Sequence, residues 1–196
     1  MCGRYTISFD GTDAEGRPDP KLAAIAASLE RRYPGVCKTG EIVPGDVAPA
    51  VVAHEERIVA VPATFGFAGR DGKLLINARS ETAAQKPTFA ESLAKRRIIL
   101  PACGFFEWGR DVRHTKYLFT PESTAGVLYL CGLFRAEGDV LRFVILTRAA
   151  NASVAGVHDR MPVIVGEHEV RAYLTDADAA ARILATASPS LACGPA

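Results

Sequence analysis

Apolar and polar positions alternate from the first residues of the chain, with Tyr5, Ile7 and Phe9 on one face, so a strand is expected to begin almost at residue 2. A loop rich in Gly, Asp and Pro follows over Asp10–Asp19. The period then changes. Leu22, Ile25, Leu29 and Tyr33 recur at helical spacing, with Asp19 placed to cap, Pro20 in the first turn and Pro34-Gly35 to stop the helix. Short β-rich runs come next at Val47–Ala53, Arg57–Val61, Lys73–Ile76, Arg97–Leu100, Gly104–Trp108, Lys116–Thr120, Val127–Phe134 and Leu141–Thr147. Helices are expected over Thr88–Ala94, Glu167–Leu174 and Asp176–Ala185, and residues 187–196 read as a flexible tail. Many short strands, few helices and no regular β-α alternation predict a single α+β domain over 1–196, built on a strongly curved, barrel-like mixed or antiparallel β-sheet flanked by a few helices.

At 196 residues, 48% apolar and 23% charged, the composition is that of a globular domain and excludes a disordered or collagen-like chain. The longest stretches without Asp, Glu, Lys or Arg, Ser123–Phe134 and Ile183–Ala196, are shorter than a membrane helix needs. Arg4 and Asp10 interrupt any signal-peptide core, so a cytoplasmic location is expected. The five cysteines, at 2, 37, 103, 131 and 193, form no C-x-x-C pair and have no neighbouring His at ligand spacing, which speaks against zinc or a disulfide framework. No metal or cofactor is expected. Net charge is only +1, yet Arg79–Lys116 holds eight basic residues against four acidic, compatible either with a solvated face or with a local basic groove. The glycines at 66, 69 and 72 lack the following helix that a phosphate loop requires.

Four segments carry candidate chemistry. Cys2 follows the initiator Met with a side chain small enough for Met1 to be removed, and the exposed residue would then hold an α-amine and a thiol on adjacent carbons. Their reference pKa values of about 7.7–8.0 and about 8.5 leave both nucleophilic forms populated near neutrality. An aldehyde would be trapped by the amine as an imine, and the thiol would close a five-membered thiazolidine. A small residue with no chemistry is the plainer alternative. In INARSE, Asn77, Arg79, Ser80 and Glu81 follow the apolar Leu74–Ile76 at a strand end or turn, or else begin a capped helix. Glu107 sits among Phe105, Phe106 and Trp108, where desolvation suits a carboxyl to acid–base work unless the residue simply faces outward. His158, beside Asp159 and Arg160, precedes Met-Pro-Val-Ile-Val and is either structural or held in a defined protonation state.

MCGRYT, INARSET with KPTF after it, RRIILPACGFFEW and NASVAGVHDRMPVIV resemble, in order and spacing, the SOS-response-associated peptidase (SRAP) family from Cys2 to about Leu174. The resemblance implies a sensor and shield for abasic sites in single-stranded or junction DNA that crosslinks its N-terminal cysteine to the ring-opened sugar, without metal or cofactor, as a monomer. By motif it makes Cys2 the nucleophile, Glu107 the acid/base, His158 the residue assisting sugar chemistry and reversal, and Asn77 the orienting residue. Arg4, Arg79 and Arg160 resemble its DNA-contacting arginines. The chain departs from the family pattern at Glu41-Ile42-Val43-Pro44, where an Asn-Ile-Ala-Pro-like segment is usual, and at Phe65-Gly66-Phe67, in place of a Trp-containing loop. Phe65 and Phe67 are expected to serve as an apolar wedge against bases, since stacking tolerates different rings. Two other functions fit the same residues: an N-terminal-nucleophile cysteine peptidase, acting either on other chains or on its own Met1 alone, and a non-covalent reader of modified or damaged DNA for which Cys2 is dispensable.

Overall fold

The computed structural model describes residues 2–8, 19–55, 57–110, 112–122 and 126–196. The elements begin with β1 (Arg4–Ile7), α1 (Pro20–Arg32), β2 (Gly40–Ile42), β3 (Val47–His54), β4 (Arg57–Phe65), β5 (Phe67–Ala68), β6 (Leu74–Leu75) and β7 (Asn77–Arg79). They continue with α2 (Pro87–Lys95), β8 (Arg97–Ala102), β9 (Gly104–Trp108), β10 (Lys116–Pro121), β11 (Leu128–Glu137) and β12 (Val140–Ala149). The last are α3 (Ala152–Ala155), β13 (Arg160–Pro162), β14 (Ile164–Val165), α4 (Val170–Thr175), α5 (Ala177–Ala185) and β15 (Leu191–Pro195). The start of α1 is as expected: Asp19 Oδ1 accepts from Lys21 N at 2.8 Å and Leu22 N at 3.1 Å, satisfying donors the helix cannot. Phe9 and most of the Asp10–Asp19 loop lie outside the described residues.

Five strands close on themselves in the ring β3-β4-β12-β11-β8, every pairing antiparallel except the parallel β4–β12 contact. Side chains alternate across this wall. Ala48, Ala50, Val52, Ala63, Phe65, Ile98, Leu100, Leu130, Phe143 and Ile145 fill the inner cluster. Val51, Ile99, Cys131, Leu133, Val144 and Leu146 face outward and are covered by Phe89 of α2, Tyr173 and Leu174 of α4, and Ala180 and Ile183 of α5. Small residues on β3 leave room inside for Phe65 to stack on Phe143, centroids 4.9 Å apart. A second sheet, in the order β15-β10-β9-β1-β2, adds Tyr5, Ile7, Ile42, Phe105 and Phe119 to the inner cluster. Gly104 lets β9 approach β10 closely, since a Cβ there would lie 2.6 Å from the Phe119 carbonyl oxygen.

Three expectations are corrected or narrowed. The tail is not frayed: Leu191–Pro195 pairs with Tyr117–Pro121, and the Asn151 carboxamide donates to Ser188 O at 3.2 Å and Pro189 O at 2.9 Å. For INARSE the strand end holds and the capped helix start does not: Asn77–Arg79 is a short strand parallel to β12, Asn77 beside Ile145 and Arg79 beside Thr147, and Ser80 and Glu81 turn away after it. The third concerns Phe65 and Phe67, both fully buried and so unable to wedge against bases. Gly66 between them takes φ +102°, which breaks the alternation and sends Phe65 to the inner cluster and Phe67 to the outer one, beneath the Arg135 guanidinium 4.3 Å away.

Candidate functional site

The pairing of β1 with β9 opposes Arg4 to Phe106 and Tyr5 to Phe105. Cys2, two residues before Arg4, is thereby carried to the end of β9 that holds Glu107 and Trp108. Cys2 is fully buried, and its thiol donates only a long bond, 3.8 Å, to Arg4 O. Burial pushes the thiol pKa far above its ordinary value, and the Glu107 carboxylate pushes it the same way. A populated thiolate at neutral pH, expected from the free amino acid, is thus not what the fold provides. The thiol needs a base beside it.

Glu107 is 2% exposed. Its carboxyl is raised above the usual range by burial, with His158 pulling the other way. The His158 Nε2 lies 4.0 Å from Glu107 Oε2. On the other side of the ring Nδ1 stands 2.9 Å from the Arg160 backbone N–H, 3.1 Å from Asp159 Oδ1 and 3.2 Å from Arg160 O. In a neutral ring, accepting the Arg160 N–H places the proton on Nε2, facing Glu107. In a protonated ring, Nδ1–H donates to the Asp159 carboxylate, itself held by Arg110 at 3.0 Å. The imidazole thus stands within charge–charge reach of Glu107 and is oriented on its other edge by Arg160 and Asp159.

Asn77 approaches from β7, on the side of β12 opposite β13. Parallel neighbours share a face, so its side chain projects with that of Ile145, a member of the cluster that includes Cys2. Both its carboxamide nitrogen and oxygen are buried with no hydrogen-bond partner in the protein. Such groups cost about 1–3 kcal/mol each unless something supplies the bonds.

The arginines divide. Arg79 is exposed. Arg160 is not a free arm: its side chain is 15% exposed, Nη1 and Nη2 grip Glu81 at 2.6 and 2.9 Å, and Nη2 also donates to Thr147 O at 2.7 Å. The guanidinium holds the Glu81 carboxyl down at about 2. Arg4 pairs with Glu41 Oε1 at 2.6 Å and lies over the Trp108 ring. Lys116, which sequence reasoning passed over, takes the other Glu41 oxygen at 2.6 Å. Glu81, Asp159 and Trp108 were also within the singled-out segments, but only the assembled strands give them partners. Among the described residues, grooves of about 520 and 470 Å³ lie along Lys21, Tyr129 and Glu167, and one of about 500 Å³ runs between α2 and α5; Cys2 lines none of the three.

The family model for the SOS response associated peptidase (SRAP) matches residues 1–193. The chain belongs to the SRAP family. Similar curated proteins are named abasic site processing proteins: YoqW of Bacillus subtilis is 35% identical over 109 residues, covering 53% of this chain and 49% of that protein. This SRAP chain thus spans about half the length of the first such relatives. YoaM of Bacillus subtilis is 34% identical over 198 residues and YedK of Escherichia coli 26% over 183, each match covering 89% of this chain and 79% of the relative. The fold is shared with a solved Bacteroides thetaiotaomicron protein at 18% identity and TM-score 0.75, over 98% of this chain and 90% of that one. A Bordetella bronchiseptica structure agrees equally well, at 20% identity and TM-score 0.75, over 100% and 99%.

Proposed function

We propose that this SRAP protein captures abasic sites in single-stranded DNA as a thiazolidine on Cys2, with Met1 removed. The observation that carries the proposal is the convergence of a buried Cys2, a buried Glu107 and His158 at the end of β9. The relatives' names, abasic site processing proteins, support the substrate. With the thiol held protonated by burial, the amine acts first. It adds to C1′ of the ring-opened sugar, the carbonyl oxygen takes a proton, and the carbinolamine loses water to an imine. The thiol then adds to C1′, forming the C–S bond, while its proton passes to the imine nitrogen by way of the Glu107 carboxylate. His158 exchanges protons with Glu107 and serves ring opening and release. Asn77, its amide unpaired in the protein, orients the lesion. Arg79 and Arg4 meet phosphate; Arg160 stiffens the site through Glu81.

The test is incubation with an oligonucleotide bearing an abasic site, followed by a denaturing gel and intact-mass spectrometry. The expected adduct weighs the chain without Met1, plus the DNA, minus one water. Cys2→Ser should give a labile adduct and Cys2→Ala only an imine trapped by borohydride. A crosslink of equal stability from Cys2→Ala, or one in which Met1 is retained, refutes the chemistry, and peptide cleavage without any adduct would favour the peptidase alternative.

A further inference from the structure

On the face of β9 opposite Glu107, the side chains of Phe106 and Trp108 form an aromatic floor carrying two cations. Arg4 of β1 stands 5.4 Å from the Trp108 centroid, and Lys116 of β10 places Nζ 3.9 Å from the Phe106 centroid and 5.9 Å from that of Trp108. Both reach the same carboxylate. Glu41 projects from β2, and its Oε1 takes Arg4 at 2.6 Å while its Oε2 takes Lys116 at 2.6 Å. The span is unusual, because β2 and β10 are separated in the sheet by β1 and β9. Lys116 crosses the aromatic floor to get there.

A carboxylate offering one oxygen to each of two cations presents them with the charge and the two acceptors of a phosphodiester's non-bridging oxygens. The cations hold Glu41 below the usual carboxylate range, Lys116 first and Arg4 second, so it stays ionised through neutral pH. The cluster is also open to an incoming strand, with Arg4, Glu41 and Lys116 side chains 45, 32 and 28% exposed. Because the aromatic rings also hold the two cations, removing the carboxylate leaves them in place and aimed outward.

We infer that Glu41 is a built-in phosphate surrogate: it occupies a backbone-phosphate site made by Arg4 and Lys116, and a nucleic-acid strand must displace it to bind. The inference rests on the reading of the partner as single-stranded DNA. Its consequence is that the chain grips undamaged strands weakly, since the site's two cations begin already neutralised. Binding strength is then left to groups that recognise the lesion.

The experiment compares wild type with Glu41→Gln for binding of a fluorescently labelled, undamaged oligothymidylate across a salt series, after thermal melting has shown both to be folded. The variant should bind about three- to tenfold more tightly at low salt, the range two partly exposed ion pairs allow. Its affinity should also fall more steeply with salt, the logarithmic slope growing by about 0.7–1.4 for one or two further contacts neutralised. Lys116→Met, which keeps a chain over Phe106, should weaken binding in the wild type and abolish the gain in the double variant. Equal affinity and slope for Glu41→Gln, or no effect of Lys116→Met, overturns the surrogate. Should Glu41→Gln fail to fold, Lys116→Met alone decides. Adduct formation by wild type with abasic DNA is measured in parallel. A normal adduct with no Glu41 effect removes only this inference, and a Glu41 effect without any adduct removes only the Cys2 chemistry.

Discussion

Glu81→Gln is the most informative single change in the structure, because it separates an arginine that holds the site together from one that holds DNA. Glu81 ends the segment carrying Asn77, and Arg160 follows His158, so their bidentate pair at 2.6 and 2.9 Å ties the two segments. The amide keeps the shape and removes the charge. The fall of the Glu81 pKa from 4.5 to about 2 corresponds to about 3.4 kcal/mol at about 1.36 kcal/mol per unit. That is an upper bound, since the Glu81 side chain is 48% exposed and solvent screens it. Roughly half, about 1.5 kcal/mol, is expected, which for a chain of this size lowers the melting temperature by about 3–6 °C. A carboxylate whose folded pKa is depressed stabilises fully above its unfolded pKa and loses that contribution as pH falls through the folded value. The melting temperatures of wild type and variant should therefore differ at pH 7 and converge from about pH 4.5 downward. Differential scanning fluorimetry across pH measures this, and binding of an undamaged strand completes the test. Equal melting temperatures at pH 7, or a gap that persists unchanged at low pH, would falsify the assignment. Tighter DNA binding by the variant would instead make Arg160 a phosphate arm that Glu81 restrains.

Three further outcomes follow from the same geometry. Glu107→Gln should slow crosslinking by about 10²-fold, a general acid–base magnitude, in single-turnover time courses. It should also raise the melting temperature at neutral pH: a carboxyl whose folded pKa is raised by burial contributes stability below its unfolded pKa and loses it as pH rises through the folded one; a variant that crosslinks at the wild-type rate removes Glu107 from the chemistry. Phe65→Ala should cost about 3–5 kcal/mol in denaturant unfolding through loss of the Phe143 stack and a cavity in the ring, while the folded fraction binds DNA as before; a selective loss of binding would restore Phe65 as a base contact. Arg79→Glu should weaken capture of abasic and undamaged strands alike, with the deficit shrinking as salt rises, and a deficit confined to abasic DNA contradicts a phosphate role.

Local signals were legible along the chain. Asp19, Pro20 and the Leu22–Leu29 spacing define α1 because a cap and a helical face need only residues within a few positions. Near-continuous runs of β-branched and other apolar residues likewise mark the long strands β3, β8, β11 and β12, which are buried on both faces. The four motif segments marked Cys2, Asn77, Glu107 and His158, and the desolvation expected of Glu107 is found, although on the Phe105 face of β9 and not among Phe106 and Trp108, which point the other way. What escaped the sequence depends on which strand lies beside which. The two-residue β14 and the terminal β15 have no period to detect and exist because β11 and β10 offer them unpaired backbone. Phe65 and Phe67 look available to bases until the ring closes around one and Gly66 turns the other under Arg135. The same holds for charge. Arg4 and Glu41 stand out singly in the sequence and Lys116 not at all, and only the order β10-β9-β1-β2 draws the three onto one aromatic floor. A sequence determines local geometry and the inventory of reactive groups, whereas burial, pKa and the identity of an ion's partner are set by distant residues that only the closed fold brings within a few ångströms.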